Sequence, residues 1–60
     1  MARIIVIDDE KSIRKALQEI LTLEGYEVDE AIDGREGYNL IKSRSYDCIL
    51  SDIKMPKMDG

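Results

Sequence analysis

The stretch Arg3-Ile4-Ile5-Val6-Ile7-Asp8-Asp9-Glu10 is an unbroken β-branched run that ends abruptly in acidic residues. A continuous apolar run, without alternation, is the pattern of a parallel strand buried on both faces. Arg3 to Ile7 is therefore the expected first strand. Outward from it, Ile13, Ala16, Leu17, Ile20 and Leu21 recur at three- and four-residue steps from Ser12 onward, which puts them on one stripe of a helix. The stripe is expected to be core in an intact domain, and part of it to lose its neighbours in a chain of these residues alone. Gly25 is expected to stop the helix, because glycine enters the left-handed C-cap conformation without a Cβ clash.

Tyr26-Glu27-Val28-Asp29-Glu30 alternates apolar with charged side chains, the period of a half-exposed strand at a sheet edge. Asp33 followed by Glu36 has the spacing of a capping box, and Tyr38, Leu40 and Ile41 supply the apolar face of a second helix. Gly34 and Gly37 lower the propensity of that helix. Tyr46-Asp47-Cys48-Ile49-Leu50-Ser51 turns apolar again and runs into Asp52, so it reads as a third strand that ends as the first does. The order is βαβαβ, an α/β architecture whose parallel strands need helical crossovers on the sheet faces. Strands one and three then point the same way. Their carboxyl ends, carrying Asp8, Asp9 and Asp52, form the edge of an open α/β sheet at which ligands bind.

Composition narrows the function. A formal charge of −4 over 60 residues argues against a nucleic-acid surface, which is built from clustered Lys and Arg. A chain of this length buries only about 60% of the surface its unfolded form exposes, so its stability margin is thin. At 43% hydrophobic and 37% charged it still reads as a soluble globular domain. No run approaches the roughly 20 apolar residues of a membrane span, and no signal-peptide layout precedes the first strand, so a cytoplasmic location and no membrane partner are expected. Cys48 is the single cysteine and there is no histidine, so any metal would be held by oxygen. Cys48 itself reads as a small buried hydrophobe within the third strand.

Three carboxylates at one edge repel one another, and a divalent cation relieves that repulsion. Magnesium takes hard oxygen ligands, and one or two carboxylates with a backbone carbonyl make a weak site for it. With such a cation beside it, a carboxylate becomes a feasible acceptor for a phosphoryl group.

The two acidic motifs, Ile5-Val6-Ile7-Asp8-Asp9-Glu10 and Asp52-Ile53-Lys54-Met55-Pro56-Lys57-Met58-Asp59-Gly60, resemble those of bacterial response-regulator receiver domains of two-component systems, over the whole chain. Ser51 to Pro56 is similar in wording to receivers of sigma-54-type activators. The resemblance implies the first half of a flavodoxin-like (CheY-like) doubly wound parallel sheet, with residues 1–60 supplying three strands and two helices. It implies Asp52 as the phosphoacceptor, Asp9 as a direct Mg2+ ligand, Asp8 shaping the site or acting through a metal-bound water, and the Lys54 backbone carbonyl as a further ligand. Asp59 would cap a following helix. The implied donor is a sensor histidine kinase, and the output domain lies elsewhere. Two further strands and three further helices, with a lysine, a hydroxyl residue and a switching aromatic, belong to the full pattern and are not among these residues. Their lack is expected to slow phosphotransfer by several factors of ten.

Plainer readings stand beside these. Asp8-Asp9-Glu10 also suits a solvated helix N-terminus. A haloacid-dehalogenase-like phosphatase would place a nucleophilic aspartate after its first strand too, but here only Glu10 stands two positions beyond Asp8. The third strand would have an apolar, unpaired edge in a chain of these residues, and a homodimer or higher oligomer through that edge is expected.

Overall fold

The computed structural model describes residues 2–51. Along the chain it contains β1 (Arg3–Ile7), α1 (Lys11–Leu23), β2 (Glu27–Ala31), α2 (Gly34–Ser43) and β3 (Cys48–Ser51). The strands form one parallel sheet in the order β2-β1-β3. β1 is the central strand, and its buried pattern from Ile4 to Ile7 is what a two-faced apolar run dictates.

Side chains alternate across β1. Ile5 and Ile7 join Ala31 on one face, where Leu40 and Ile41 of α2 and the Tyr46 side chain pack against them. Val6 faces the other side and shares a cavity with Leu17 of α1. The closest approach of α2 to the sheet is at Gly37, which is buried; a Cβ there would stand 2.5 Å from Ile7 Cδ1. The glycine that weakens the helix locally is what lets it seat on β1.

Helix ends follow their local chemistry. Gly25 adopts φ +96°, the Gly25 amide donates to the Thr22 carbonyl at 3.0 Å, and the Tyr26 amide donates to the Leu21 carbonyl at 3.1 Å. This pair of bonds is a Schellman cap. It draws Tyr26 into the helix terminus, so the second strand starts at Glu27 and not at Tyr26 as the alternation suggested. Asp33 caps α2, accepting from the Glu36 amide at 2.8 Å. The reciprocal bond of the box lands one residue early, from the Ile32 amide to Glu36 Oε1 at 2.8 Å.

Two expectations about the third strand need correction. β3 begins at Cys48, because the Asp47 amide donates to the Arg3 carbonyl at 2.8 Å and the Arg3 amide to Asp47 Oδ2 at 2.8 Å, while the Tyr46 hydroxyl turns aside to donate to Asp29 Oδ2 at 2.6 Å. β3 is not buried on both faces: Cys48 is exposed and Ile49 is 48% exposed. Neither helix packs on β3, which has β1 alone as a strand neighbour among the described residues. On α1, part of the apolar stripe lacks neighbours among the described residues, as expected for these residues alone. Ile13 and Ile20 are 40% and 57% exposed, whereas Arg14 is buried and Leu17, Gln18 and Leu21 are half-buried. The helix leans over β2 more than over β1, so the row Arg14, Leu17 and Leu21 meets the sheet and the flank toward β3 stays open.

Candidate functional site at the carboxyl edge of the sheet

β1 ends at Ile7 and β3 at Ser51, and the parallel register pairs these two residues. Both strands therefore finish at one level. Beyond Ile7, the Asp8 amide extends the ladder by donating to the Ala31 carbonyl at 3.1 Å. Asp8 is 3% exposed, and its Oδ1 accepts from the Glu10 amide at 2.8 Å, a turn bond that leads the chain into α1. Among the described residues, Oδ2 of Asp8 is buried without a hydrogen-bond partner. A carboxylate oxygen left bare in the interior is costly, which points to a donor or cation beyond the described residues. Asp9 and Glu10 are exposed beside it.

Asp8 also lines an open cavity of about 390 Å³, together with Ser51, Val6, Leu17 and Leu50. The carboxyl ends of β1 and β3 thus share one concavity. Of the expected site residues, Asp8 lines this cavity and Asp9 is the exposed residue that follows it, while Asp52 and Lys54 lie outside the described residues. Among the described residues no group of three acidic, histidine or cysteine side chains converges as a metal-binding set.

The acidic loop is tied down by residues that the sequence reading passed over. Arg14 Nη1 donates to the Asp8 carbonyl at 2.9 Å, and Arg14 Nε donates to Glu30 Oε1 at 3.0 Å. Lys15 Nζ reaches the other Glu30 oxygen at 3.3 Å. The available signal was positional: Arg14 falls three residues before Leu17 and seven before Leu21, on the row that meets the sheet.

At the opposite end of the sheet, away from the site, a second polar network closes the strands. Arg3 pairs with Glu27 at 2.7 Å, and that hydrogen-bonded carboxylate raises the guanidinium pKa above its ordinary value. Burial, followed by the hydrogen bond to Asp29, raises the Tyr46 phenol. No helix among the described residues is long and apolar enough to cross a membrane.

An open parallel α/β sheet with a buried carboxylate, incompletely satisfied among the described residues, at the carboxyl end of its central strand has the ligand-binding edge of the doubly wound class. The chain belongs to the response regulator receiver domain family, whose family model matches residues 4–60. It is 43% identical over 58 residues to the response regulator MprA of Mycolicibacterium vanbaalenii, covering 97% of this chain and 25% of that protein. To the transcriptional regulatory protein DltR of Streptococcus agalactiae it is 47% identical over 58 residues, covering 97% of this chain and 26% of that protein. The solved structure of the Vibrio cholerae chemotaxis protein CheY4 superposes with a TM-score of 0.87 at 41% identity, covering 97% of this chain and 48% of that one. The chain thus spans about a quarter of the length of these curated relatives. The expected CheY-like fold holds, and the chain is receiver-domain sequence of a two-component response regulator. That membership sets aside the phosphatase reading.

Proposed function

We propose that residues 1–60 supply the first three strands and two helices of a cytoplasmic receiver domain, in which Asp52 accepts a phosphoryl group from a sensor histidine kinase. The register of β1 on β3 carries this reading. Ile7 stands opposite Ser51, and one more step of a parallel ladder would set position 52 against Asp8. In the transfer, a carboxylate oxygen of Asp52 attacks the phosphorus of a phosphohistidine. The P–N bond breaks, its electron pair returns to the imidazole, and the imidazole takes up a proton as it leaves. The product is an acyl phosphate on the protein's own side chain, a signalling mark and not a turnover step. The altered receiver then acts on an output domain that is not among these residues.

Mg2+ is the cation proposed for the site, with Asp8, Asp9 and Asp52 side chains and the Lys54 carbonyl as ligands. Oδ2 of Asp8, buried and unpartnered among the described residues, fits this, as does an all-oxygen donor set free of histidine and thiol. When bound, the cation supplies positive charge that lets an anionic phosphoryl group approach a carboxylate. Asp8 is held by the bond from the Glu10 amide to its Oδ1, which leaves Oδ2 without a partner among the described residues. Asp9, exposed on the same turn, is open to a hydrated ion.

Incubation with acetyl phosphate and Mg2+, read by intact mass, tests the assignment. The expected result is slow addition of one phosphoryl group, abolished in Asp52→Ala and weakened in Asp8→Ala. Label that persists in Asp52→Ala and disappears in Asp8→Ala would overturn it.

A second reading concerns the chain as a free molecule. Ile49 is 48% exposed on a strand with one neighbour among the described residues, which favours a homodimer through the β3 edge.

A further inference from the structure

Arg14 is the one buried basic side chain among the described residues, and it sits next to the acidic loop without touching its carboxylates. A guanidinium tolerates burial only when its donors find acceptors and its charge finds a partner. Glu30, on β2, provides the partner at 3.0 Å, and the two side chains are 11% and 23% exposed. The remaining bond goes to a backbone atom, the Asp8 carbonyl, at 2.9 Å. The Asp8 amide is meanwhile bonded to the Ala31 carbonyl, the residue after Glu30. Both sides of Asp8 are thereby fastened to the end of β2, one directly and one through Arg14.

This arrangement separates position from charge. Were the guanidinium paired with the Asp8 carboxylate, an internal cation would occupy the site and compete with an external one. Glu30 instead neutralises Arg14, and the planar fork of the guanidinium spends its second arm on the main chain. We propose that Arg14, held by Glu30, is a positioning residue that fixes the Asp8–Asp9 turn so that its carboxylate oxygens are set for a divalent cation. The proposal rests on the reading of Asp8 and Asp9 as cation ligands. Lys has one ammonium in place of the fork, so Arg14→Lys preserves the charge opposite Glu30 and loses the simultaneous bond to the Asp8 carbonyl.

The test is an Mg2+ titration of the full chain, followed through the amide signals of Asp8, Asp9 and Glu10 in nitrogen–proton correlation spectra, alongside the thermal midpoint. Supporting residues around a metal site typically change its affinity by about 10–100-fold. Arg14→Lys is expected to weaken Mg2+ binding by about tenfold at the low end of that range, and to speed hydrogen exchange at Asp9 and Glu10. A purely structural role would lower the midpoint and leave the affinity of the folded fraction unchanged, and that result overturns the proposal. Should Arg14→Lys fail to fold, Glu30→Gln is read the same way: it retains an acceptor oxygen, frees the Arg14 charge to turn on the Asp8 carboxylate, and is expected to weaken Mg2+ binding. Unchanged affinity there overturns the proposal equally. Asp9→Asn separates the two levels of inference. If it abolishes binding while Arg14→Lys and Glu30→Gln bind as the parent does, only the clamp is wrong; if the parent chain itself shows no Mg2+-dependent shifts at these amides, the cation reading fails and the clamp's role falls with it.

Discussion

Gly37 shows how a single residue can weaken its own helix and still be required by the fold. In sequence it is a poor helix former; in the structure it is the point at which α2 touches Ile7, with a virtual Cβ 2.5 Å from Cδ1 and 3.0 Å from Cγ1. Gly37→Ala gains about 1 kcal/mol of helix propensity and incurs an overpacking cost of about 1–3 kcal/mol. Leu40 and Ile41 pack against the cluster that contains Ile7, and a net destabilisation of about 1 kcal/mol is expected. Ile7→Val deletes the Cδ1 methyl. The double variant should therefore be more stable than the sum of its parts, by a coupling of roughly 1 kcal/mol in denaturant titrations, and strict additivity would contradict the contact. Tyr46 yields a pH prediction. Burial first, and the hydrogen bond to Asp29 second, hold its phenol above the usual value of about 10. The folded chain thus keeps this proton after the unfolded chain has released its own. The resulting stability is complete below pH about 10 and disappears as pH rises through the folded value. Tyr46→Phe is expected to cost about 1 kcal/mol at neutral pH, with Asp29 still paired to Arg44 at 3.1 Å, and to show a shallower fall in thermal midpoint in alkali than the parent.

Elements were legible where a local rule acts alone. The apolar run Arg3–Ile7 and the stop at Gly25 are decided by residues within one turn or one strand of themselves, and both stand where expected. Boundaries and faces that depend on distant partners were not legible. Tyr26 looks like a strand residue until its amide is taken by Leu21, and Tyr46 until its hydroxyl finds Asp29 across the sheet. The stripe of α1 was legible, with Ile13 and Ile20 on its open part, but the burial of Arg14 against Glu30 of β2 was not. The place of Asp8 at the carboxyl end of β1 could be read from the strand pattern; for Arg14 only its spacing from Leu17 and Leu21 gave a signal, since its partner Glu30 lies on another element. The Schellman cap gives this scale its prediction. At φ +96° a Cβ meets no neighbour within 4 Å, so Gly25→Ala isolates backbone strain from packing. It should cost about 1–2 kcal/mol, and Gly25→Asn should recover part of that because asparagine visits this region more readily. Equal midpoints for the glycine and alanine chains would show that the cap bears no strain.

Taken whole, the molecule is built unevenly. Its buried apolar residues are Ile4, Ile5, Val6, Ile7 and Ala31, all on β1 and the end of β2, while the side toward β3 is open. Ile13, Ile20 and Ile49 each expose more than a third of their surface there or on the adjoining helix flank. Such surface is removed from water when a second chain covers it, at about 25 cal/mol for each Å² of apolar area. The outer edge of β3 adds backbone donors and acceptors free for another strand among the described residues. A concentration-dependent dimer is therefore expected in size-exclusion chromatography with light scattering, with thermal midpoints that rise with protein concentration. Ile49→Lys puts a charge on the edge, which must be stripped of water when a strand is added, and should shift the population to monomer without lowering the midpoint at high dilution. Leu23→Glu is the control: Leu23 is 86% exposed but borders a separate surface hollow with Gln18, Glu19 and Thr22, so the same change of polarity there should leave the dimer intact. A cooperative monomer at every concentration would mean that β1 and its two helices supply enough burial for the chain to stand alone, and that the β3 edge is covered from within.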